Sequence, residues 1–245
     1  MAPRVHAAQA TGIATLTLDS PGNRNALSAD LVAELRSALA VTAADPAVRA
    51  VVLTHTGNTF CAGADLKSPC DPADFLALLR ETAELPKPVV ARVTGHVRAG
   101  GLGLLGVCDI AAAGPQSSYA FTETHLGLAP AVISMPLLPR LDPRAAARYF
   151  LTAEAFDAAE AARIGLLTLH GEDVDAVLEP VLAGLRKASP QGLAATKALT
   201  AAAVRETLAR DGSRLTELSA GLFASAEARE GITARFERRE PSWSL

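Results

Sequence analysis

Two predominantly apolar runs constrain the fold of this 245-residue chain more than any other feature. They are "VRAVVLTH" (48–55) and "KPVVARVTG" (87–95). Neither run alternates between apolar and polar residues as a half-exposed strand does, and such runs are typical of strands buried on both faces of a parallel sheet. A helical pattern over 72–84 separates them. Buried strands joined through helices predict an α/β fold with right-handed crossovers.

The flanking segments extend this pattern in both directions. "GIATLTLDS" (12–20) alternates like a strand, and Ser28 precedes apolar residues at helical spacing, which predicts a helix N-cap. "CDIAAAG" (108–114) predicts a further short strand. Beyond it the sequence predicts helices over 143–150, 157–164, 173–187, 191–209 and 213–237. "SPQG" interrupts the helices near residue 190, which predicts a boundary between 1–190 and 191–245.

Composition excludes several classes of protein. A net charge of −3 and 4% aromatic residues do not indicate nucleic-acid binding. No apolar run reaches the length of roughly 18 residues that a membrane span needs, and the N-terminus lacks the apolar core of a signal peptide. Cys61, Cys70 and Cys108 fit no zinc spacing and predict no disulfide framework. We therefore expect a cytoplasmic protein without a metal site.

Gly101 to Gly106 spell G-x-G-x-x-G, and Glu123 follows 20 positions after Gly103. This resembles the fingerprint of a dinucleotide-binding unit. However, a helix that starts near Ala99 has ended by Cys108, which is too short for a crossover of about a dozen residues or more. Glu123 also lies beyond an intervening strand. The context therefore contradicts a dinucleotide site.

Glycines at the start of a helix have two other uses. They permit tight packing of helix on sheet, or they let a ligand approach the unpaired amides of the first helical turn. Such amides bind phosphate or stabilise an oxyanion. The segment by itself does not decide between these uses. A second loop of small residues, "FCAGADL" (60–66), also follows a buried strand, which favours two backbone donors on one carbonyl oxygen.

Six segments in this order resemble the crotonase (enoyl-CoA hydratase/isomerase) superfamily. They are "SPGNRNALS" (20–28), "GNTFCAGADLKS" (57–68), "KPVVARVTGHVRAGGLGLLGVCDIAAAG" (87–114), "FTETHLGLAPA" (121–131), "AARIGLL" (161–167) and "EGITARFERREPSW" (230–243). The resemblance implies a spiral of ββα units followed by a helical C-terminal trimerisation region. On this basis 1–190 is the acyl-CoA-binding core and 191–245 the oligomerisation region. We expect a homotrimer or a hexamer built as a dimer of trimers.

The same resemblance implies an acyl-CoA thioester as substrate, with no separate cofactor because CoA is part of that substrate. It makes Ala64 and Gly100 the oxyanion-hole amides and Glu123 the general acid/base. It also implies substrate and CoA contacts from Arg24, Asn25, Ala26, Leu27, Cys61, Gly63, Asp65, Leu66, Gly103 and Arg238. For the two arginines, a solvated surface charge is an equally good interpretation.

The chain departs from the family at one catalytic position. Hydratases of the family commonly use two glutamates, and Gly103 occupies the position of the first. The sequence puts no other acid there. Asp109 is expected to bond backbone within a strand, while other candidates near the pocket are Asp74, Glu81, Glu84, His96 and His125.

One glutamate is still sufficient for addition of water, and also for 1,3-proton transfer. The motif series, particularly "GHVRAGGLGLLGVCDI" with "FTETHLGLAPA", resembles the family's hydratases more than its isomerases. The resemblance therefore implies a hydratase-type lyase that acts through Glu123. The alternatives are an enoyl-CoA isomerase and a catalytically weakened acyl-CoA-binding protein.

Overall fold

Two sheets organise the computed structural model of the chain, which describes residues 3–245. The six-stranded sheet has the order β1 (Val5–Ala10), β2 (Ile13–Leu18), β3 (Ala50–His55), β5 (Val89–Val93), β7 (Ile110–Ala113) and β10 (Leu169–His170). The four-stranded sheet has the order β4 (Thr59–Cys61), β6 (His96–Arg98), β8 (Ser118–Ala120) and β9 (Phe156–Asp157).

Ten helices connect and cover the strands in this part of the chain. The first seven in chain order are α1 (Ala29–Ala44), α2 (Pro72–Glu84), α3 (Gly100–Val107), α4 (Ala131–Leu137), α5 (Pro143–Thr152), α6 (Ala158–Arg163) and α7 (Val174–Lys187). The C-terminal three are α8 (Pro190–Thr200), α9 (Ala202–Phe223) and α10 (Ala226–Glu237).

The predicted buried strands are confirmed as the centre of the larger sheet. Every residue of β3 is buried, and β3 pairs in parallel with β2 on one side and with β5 on the other. The predicted cap is confirmed as well, since the Ser28 side chain accepts a hydrogen bond from the Leu31 amide at 3.3 Å. The edge strand β1, whose residues are mostly exposed, was not predicted because it has no buried face to impose a pattern.

A strand of the larger sheet is followed three times by a strand of the smaller sheet and then by a helix, within residues 50–137. The units are β3–β4–α2, β5–β6–α3 and β7–β8–α4. This confirms the expected spiral of ββα units. Since β4, β6 and β8 are parallel neighbours, the segments that follow them leave the smaller sheet at the same edge.

The predicted boundaries of the C-terminal helices were wrong. The sequence placed a break between 209 and 213, whereas α9 runs through this point and the chain breaks at Ala201 and around Ser225. Gly212 lies inside α9, where a Cβ would come within 3.0 Å of Cδ2 of Leu76 in α2. The glycine therefore serves close packing of two helices and does not end one.

No helix in the described part of the chain combines the length and the apolar character needed to cross a membrane.

A buried ion pair joins α8 to the core. Lys197 is 4% exposed, and its Nζ lies 2.8 Å from Oδ2 of Asp109. The same ammonium donates to the carbonyl oxygens of Thr82 at 2.8 Å and Lys87 at 3.1 Å. Burial lowers the pKa of Lys197, and the Asp109 carboxylate opposes that shift. Asp109 also accepts from the Val89 amide at 2.7 Å, so its expected structural role is confirmed.

We expect Lys197→Met to lose about 3–5 kcal/mol of unfolding free energy, because it leaves the Asp109 charge and two carbonyl oxygens without their donor. The melting temperature should fall by roughly 6–20 °C for a chain of this size. Circular dichroism measures the transition. Lys187→Met, at an exposed lysine of α7, is the matched control and should change stability by about 0.5 kcal/mol at most. Equal melting of the two variants would contradict this role for Lys197.

Candidate active site

The segments that leave the smaller sheet after β4, β6 and β8 enclose a cavity of about 310 Å³. Ligands of parallel sheets commonly bind beyond the carboxyl ends of the strands. Ala64 follows β4, Gly100 follows β6 and Glu123 follows β8, and all three line this cavity. The topology therefore brings together the three residues that the sequence assigned to catalysis.

The loop after β4 and the start of α3 are in direct backbone contact. Gly63 has a φ of +89°, which favours glycine, and a Cβ on it would lie 2.8 Å from Cβ of Ala99. A Cβ on Gly101 would lie 2.7 Å from the carbonyl oxygen of Cys61. Ala99 adopts a positive φ of 47°, which turns the chain from β6 directly into α3. Small residues are thus required on both sides of this contact.

Two backbone N–H groups are left free at this contact. Gly100 is the first residue of α3, so its amide has no acceptor within the helix. In residues 3–245 the amide of Ala64 also has no acceptor, while the flanking bonds Leu27 N to Gly63 O (2.8 Å) and Asp65 N to Leu27 O (3.4 Å) hold its peptide in place. A Cβ on Gly100 would lie 3.7 Å from the Ala64 nitrogen. Both donors can therefore reach one ligand oxygen.

Glu123 supplies a buried carboxyl group in this cavity. The residue is 8% exposed, and no hydrogen-bond partner reaches its Oε2 from the described residues. Burial disfavours the charged form and raises the pKa of Glu123 to about 7. A carboxyl with this pKa exchanges protons readily near neutral pH, as a general acid/base must.

Glu123 is the one carboxylate among the described residues that lines the cavity. Asp74 and Glu81 point elsewhere, because both pair with Arg36 at 3.1 Å and 2.6 Å. Glu84 is exposed and outside the cavity lining. The exposed His96 and His125 are outside it as well, and Nδ1 of His96 lies 2.9 Å from Oγ of Ser118.

Ile133 packs against Gly103, the position at which hydratases of the family commonly have a second glutamate. A Cβ on Gly103 would lie 2.5 Å from Cγ2 and 2.9 Å from Cβ of Ile133. Ile133 itself lines the cavity, whereas Gly103 does not. An apolar side chain from α4 therefore covers Gly103, and the expected contact between Gly103 and substrate stays a prediction.

The remaining predicted contact residues divide into two groups. Leu27 and Leu66 line the cavity. The others lie outside its lining, and several have structural roles: Arg24, Asn25, Ala26, Cys61, Gly63, Asp65 and Arg238.

Two of these side chains already have hydrogen-bond partners within the chain. Asn25 donates to the carbonyl oxygens of Thr56 and Thr59, and Asp65 accepts from Asn23 and the Lys67 amide.

Cys61 is buried, which raises the pKa of its thiol to about 12. Arg24 and Arg238 are exposed, so their suggested contacts with CoA stay predictions.

The sequence also predicts an acyl pocket lined by 67–84 and by the region around Leu128–Leu138, and Phe75 of α2 and Val132 of α4 do line the cavity.

Sequence reasoning missed the part of the wall that α9 supplies and the two charged residues of the lining, Arg98 and Arg235. Arg98 directly precedes the Ala99–Gly100 turn, and that position was an available signal. No sequence signal identified Arg235, because its location depends on how α10 docks against the rest of the chain.

Comparisons with known proteins agree with this geometry. The family profile described as enoyl-CoA hydratase/isomerase matches residues 8–245. A crotonyl-CoA hydratase from Syntrophomonas wolfei is 32% identical, over 94% of each chain. A mitochondrial enoyl-CoA hydratase from Pongo abelii is 32% identical, over 94% of this chain and 83% of that protein.

The crystal structure of an enoyl-CoA hydratase from Mycobacterium avium superposes with a TM-score of 0.94 at 53% identity, over 100% of both chains. The chain therefore belongs to the enoyl-CoA hydratase/isomerase family of enzymes, with the crotonase fold.

We expect Gly103 and Ile133 to be energetically coupled. Gly103→Ala should lose about 1–3 kcal/mol, because the β-branched Ile133 cannot yield to a new methyl group, and Ile133→Ala should lose about 2–5 kcal/mol through the cavity it leaves. The double variant should be more stable than the sum of these losses predicts, by at least about 0.5 kcal/mol. Urea unfolding of all four proteins measures the coupling, and strictly additive losses would argue against this contact.

Proposed function

We propose that this member of the family hydrates a 2-enoyl-CoA thioester, with Glu123 as acid/base and the amides of Ala64 and Gly100 as the oxyanion hole. The proposal is carried by one observation: a carboxyl group with a pKa of about 7 and an unpartnered Oε2 lines the same cavity as two free backbone amides. The names of the relatives from Syntrophomonas wolfei and Pongo abelii support the same reaction.

In this mechanism the ionised Glu123 takes a proton from water while the water oxygen bonds to the β carbon. The electron pair of the double bond moves toward the carbonyl, and negative charge collects on the thioester oxygen. The N–H groups of Ala64 and Gly100 bind that charge, and a donor of this kind contributes about 10²–10³ in rate. The protonated Glu123 then delivers its proton to the α carbon, which restores the carboxylate and completes the addition.

A specific observation favours 1,3-proton transfer as a second candidate. Ile133 covers Gly103, so the wall near Glu123 offers no second carboxylate to orient water. An isomerase needs only one base. Glu123 would remove the α proton of a 3-enoyl thioester, the same amides would hold the dienolate oxygen, and the proton would return to the γ carbon.

Purified protein incubated with crotonyl-CoA and with 3-hexenoyl-CoA distinguishes the two reactions. Hydration removes the absorbance of the conjugated thioester, whereas isomerisation creates it. We expect hydration of crotonyl-CoA without conversion of the 3-enoyl thioester. Conversion of 3-hexenoyl-CoA alone would replace the first proposal with the second, and a protein that binds thioesters but transforms neither would contradict both.

Glu123→Gln is the variant for the same assay. An amide cannot carry the proton, so kcat should fall by about 10²–10⁴. In the wild type, kcat/KM should rise with pH through an apparent pKa near 7, because the ionised form of Glu123 takes the proton from water. Asp74→Asn is the matched control, since Asp74 pairs with Arg36 outside the cavity, and its turnover should equal that of the wild type.

We also propose that the region 191–245 joins three copies of the chain, or six as two trimers. Large apolar side chains are exposed there: Leu199 at 78%, Leu218 at 46%, Phe236 at 54% and Trp243 at 38%. Exposed apolar surface becomes buried when chains associate, and a large amount of it commonly marks an interface between proteins. Light scattering should give three or six times the chain mass of 25.3 kDa, and a monomer at micromolar concentration would rule out this assembly.

A further inference from the structure

Two guanidinium groups line the cavity that holds Glu123. Arg98 comes from β6 and Arg235 from α10. Burial lowers the pKa of Arg98, and the charge of the nearby Arg235 lowers it further. No carboxylate of residues 3–245 forms an ion pair with either one.

Hydrogen bonds hold the Arg98 guanidinium in place, but they do not engage all of its N–H donors. Its Nη1 donates to the carbonyl oxygens of Val97 at 2.9 Å and Ser118 at 2.6 Å, and its Nη2 donates to Oγ of Ser118 at 2.8 Å. A guanidinium carries five N–H donors. The Nε–H and one Nη2–H therefore have no acceptor in the described part of the chain, while the neutral acceptors leave the charge uncompensated.

Arg235 contrasts with the other arginines of its helix. Arg239, just beyond α10, is engaged by Glu230 at 2.7 Å and Glu237 at 2.6 Å, and Arg229 donates to the carbonyl oxygen of Ala224 at 2.8 Å. The side chain of Arg235 has no hydrogen bond or ion pair with any described residue. It is the arginine of α10 that lines the cavity.

Two neighbouring cations without a counter-ion repel each other, and an anion between them removes that repulsion and gains charge-assisted hydrogen bonds. We propose that Arg98 and Arg235 form an anion-binding end of the active-site cavity, which holds a carboxylate carried by the acyl group of the substrate. The enzyme would thus act on thioesters of dicarboxylic acids in preference to those of simple fatty acids.

The position of the pair favours an acyl carboxylate over a phosphate of CoA. Neither guanidinium forms an ion pair with Glu123, whose Oε2 has no hydrogen-bond partner among the described residues, so the pair and the carboxyl occupy separate places in the cavity. The expected CoA contacts at Leu27 and Leu66 flank β4, whereas the Arg98 guanidinium bonds Ser118 of β8 and Arg235 comes from α10. This assignment rests on the proposed function, which puts the thioester between the two sides.

Binding of unreactive saturated thioesters tests the pair independently of turnover. The ligands are succinyl-CoA and glutaryl-CoA, each compared with the thioester that has a methyl group in place of the carboxylate, butanoyl-CoA and pentanoyl-CoA. Calorimetry measures the dissociation constants for the wild type, Arg235→Gln and Arg98→Gln. Arg229→Gln, on the same helix but outside the cavity lining, is the matched control. Because Arg235 is exposed, its variant keeps the test valid even if Arg98→Gln unfolds.

We expect Arg235→Gln to weaken binding of at least one dicarboxylic thioester roughly tenfold, as loss of one charged hydrogen bond does, and to leave its methyl counterpart within about twofold. Equal weakening of all four, abolished when pantetheine thioesters replace CoA thioesters, would put a phosphate at the pair and overturn the assignment. No change in any ligand would overturn the anion site itself. Turnover of crotonyl-CoA by the wild type is measured in a separate assay. Failure of the hydratase proposal can therefore be distinguished from failure of the anion-site proposal.

Discussion

The close approach of two backbones underlies the whole site. The loop after β4 and the start of α3 touch at Gly63, Ala99 and Gly101, where no larger side chains fit. The parallel pairing of β4 with β6 brings the two segments to the same edge, and the positive φ of Ala99 starts the helix there. Backbone amides held by packing need no reorganisation when charge develops on a ligand, which is why such donors stabilise it well.

The proposed mechanism separates binding of charge from transfer of protons. Its oxyanion donors are peptide groups, so side-chain replacement would not remove them, whereas its acid/base function depends on Glu123 alone. Its isolation has a direct electrostatic effect, since burial without a paired cation keeps the carboxyl near the midpoint of its titration at neutral pH. The buried pair of Lys197 and Asp109 shows the opposite case, in which compensated charges hold α8 to the core.

The sequence predicted those parts of the structure that follow from local physical signals. The buried strands β3 and β5, the Ser28 cap and the two small-residue loops were all found in this way. The strand β6 has only three residues, too few for a periodic pattern. The contact of Ile133 with Gly103 and the place of Arg235 in the site could not be found, because they depend on how α4 and α10 dock. The predicted break between 209 and 213 was wrong for the same reason, since the packing partner of Gly212 lies in α2.

The docking of α10 has a further consequence. A Cβ on Gly231 in α10 would lie 2.6 Å from the carbonyl carbon of Leu126, in the short 3-10 helix that directly follows Glu123. The segment that carries Glu123 is thus supported by a helix that is synthesised about 100 residues later in the chain. During synthesis the strands of the core can pair before α10 exists, but the Glu123 segment gains its final support only once that helix has emerged. Products of interrupted translation would therefore fold only in part, with the Glu123 segment left without this packing.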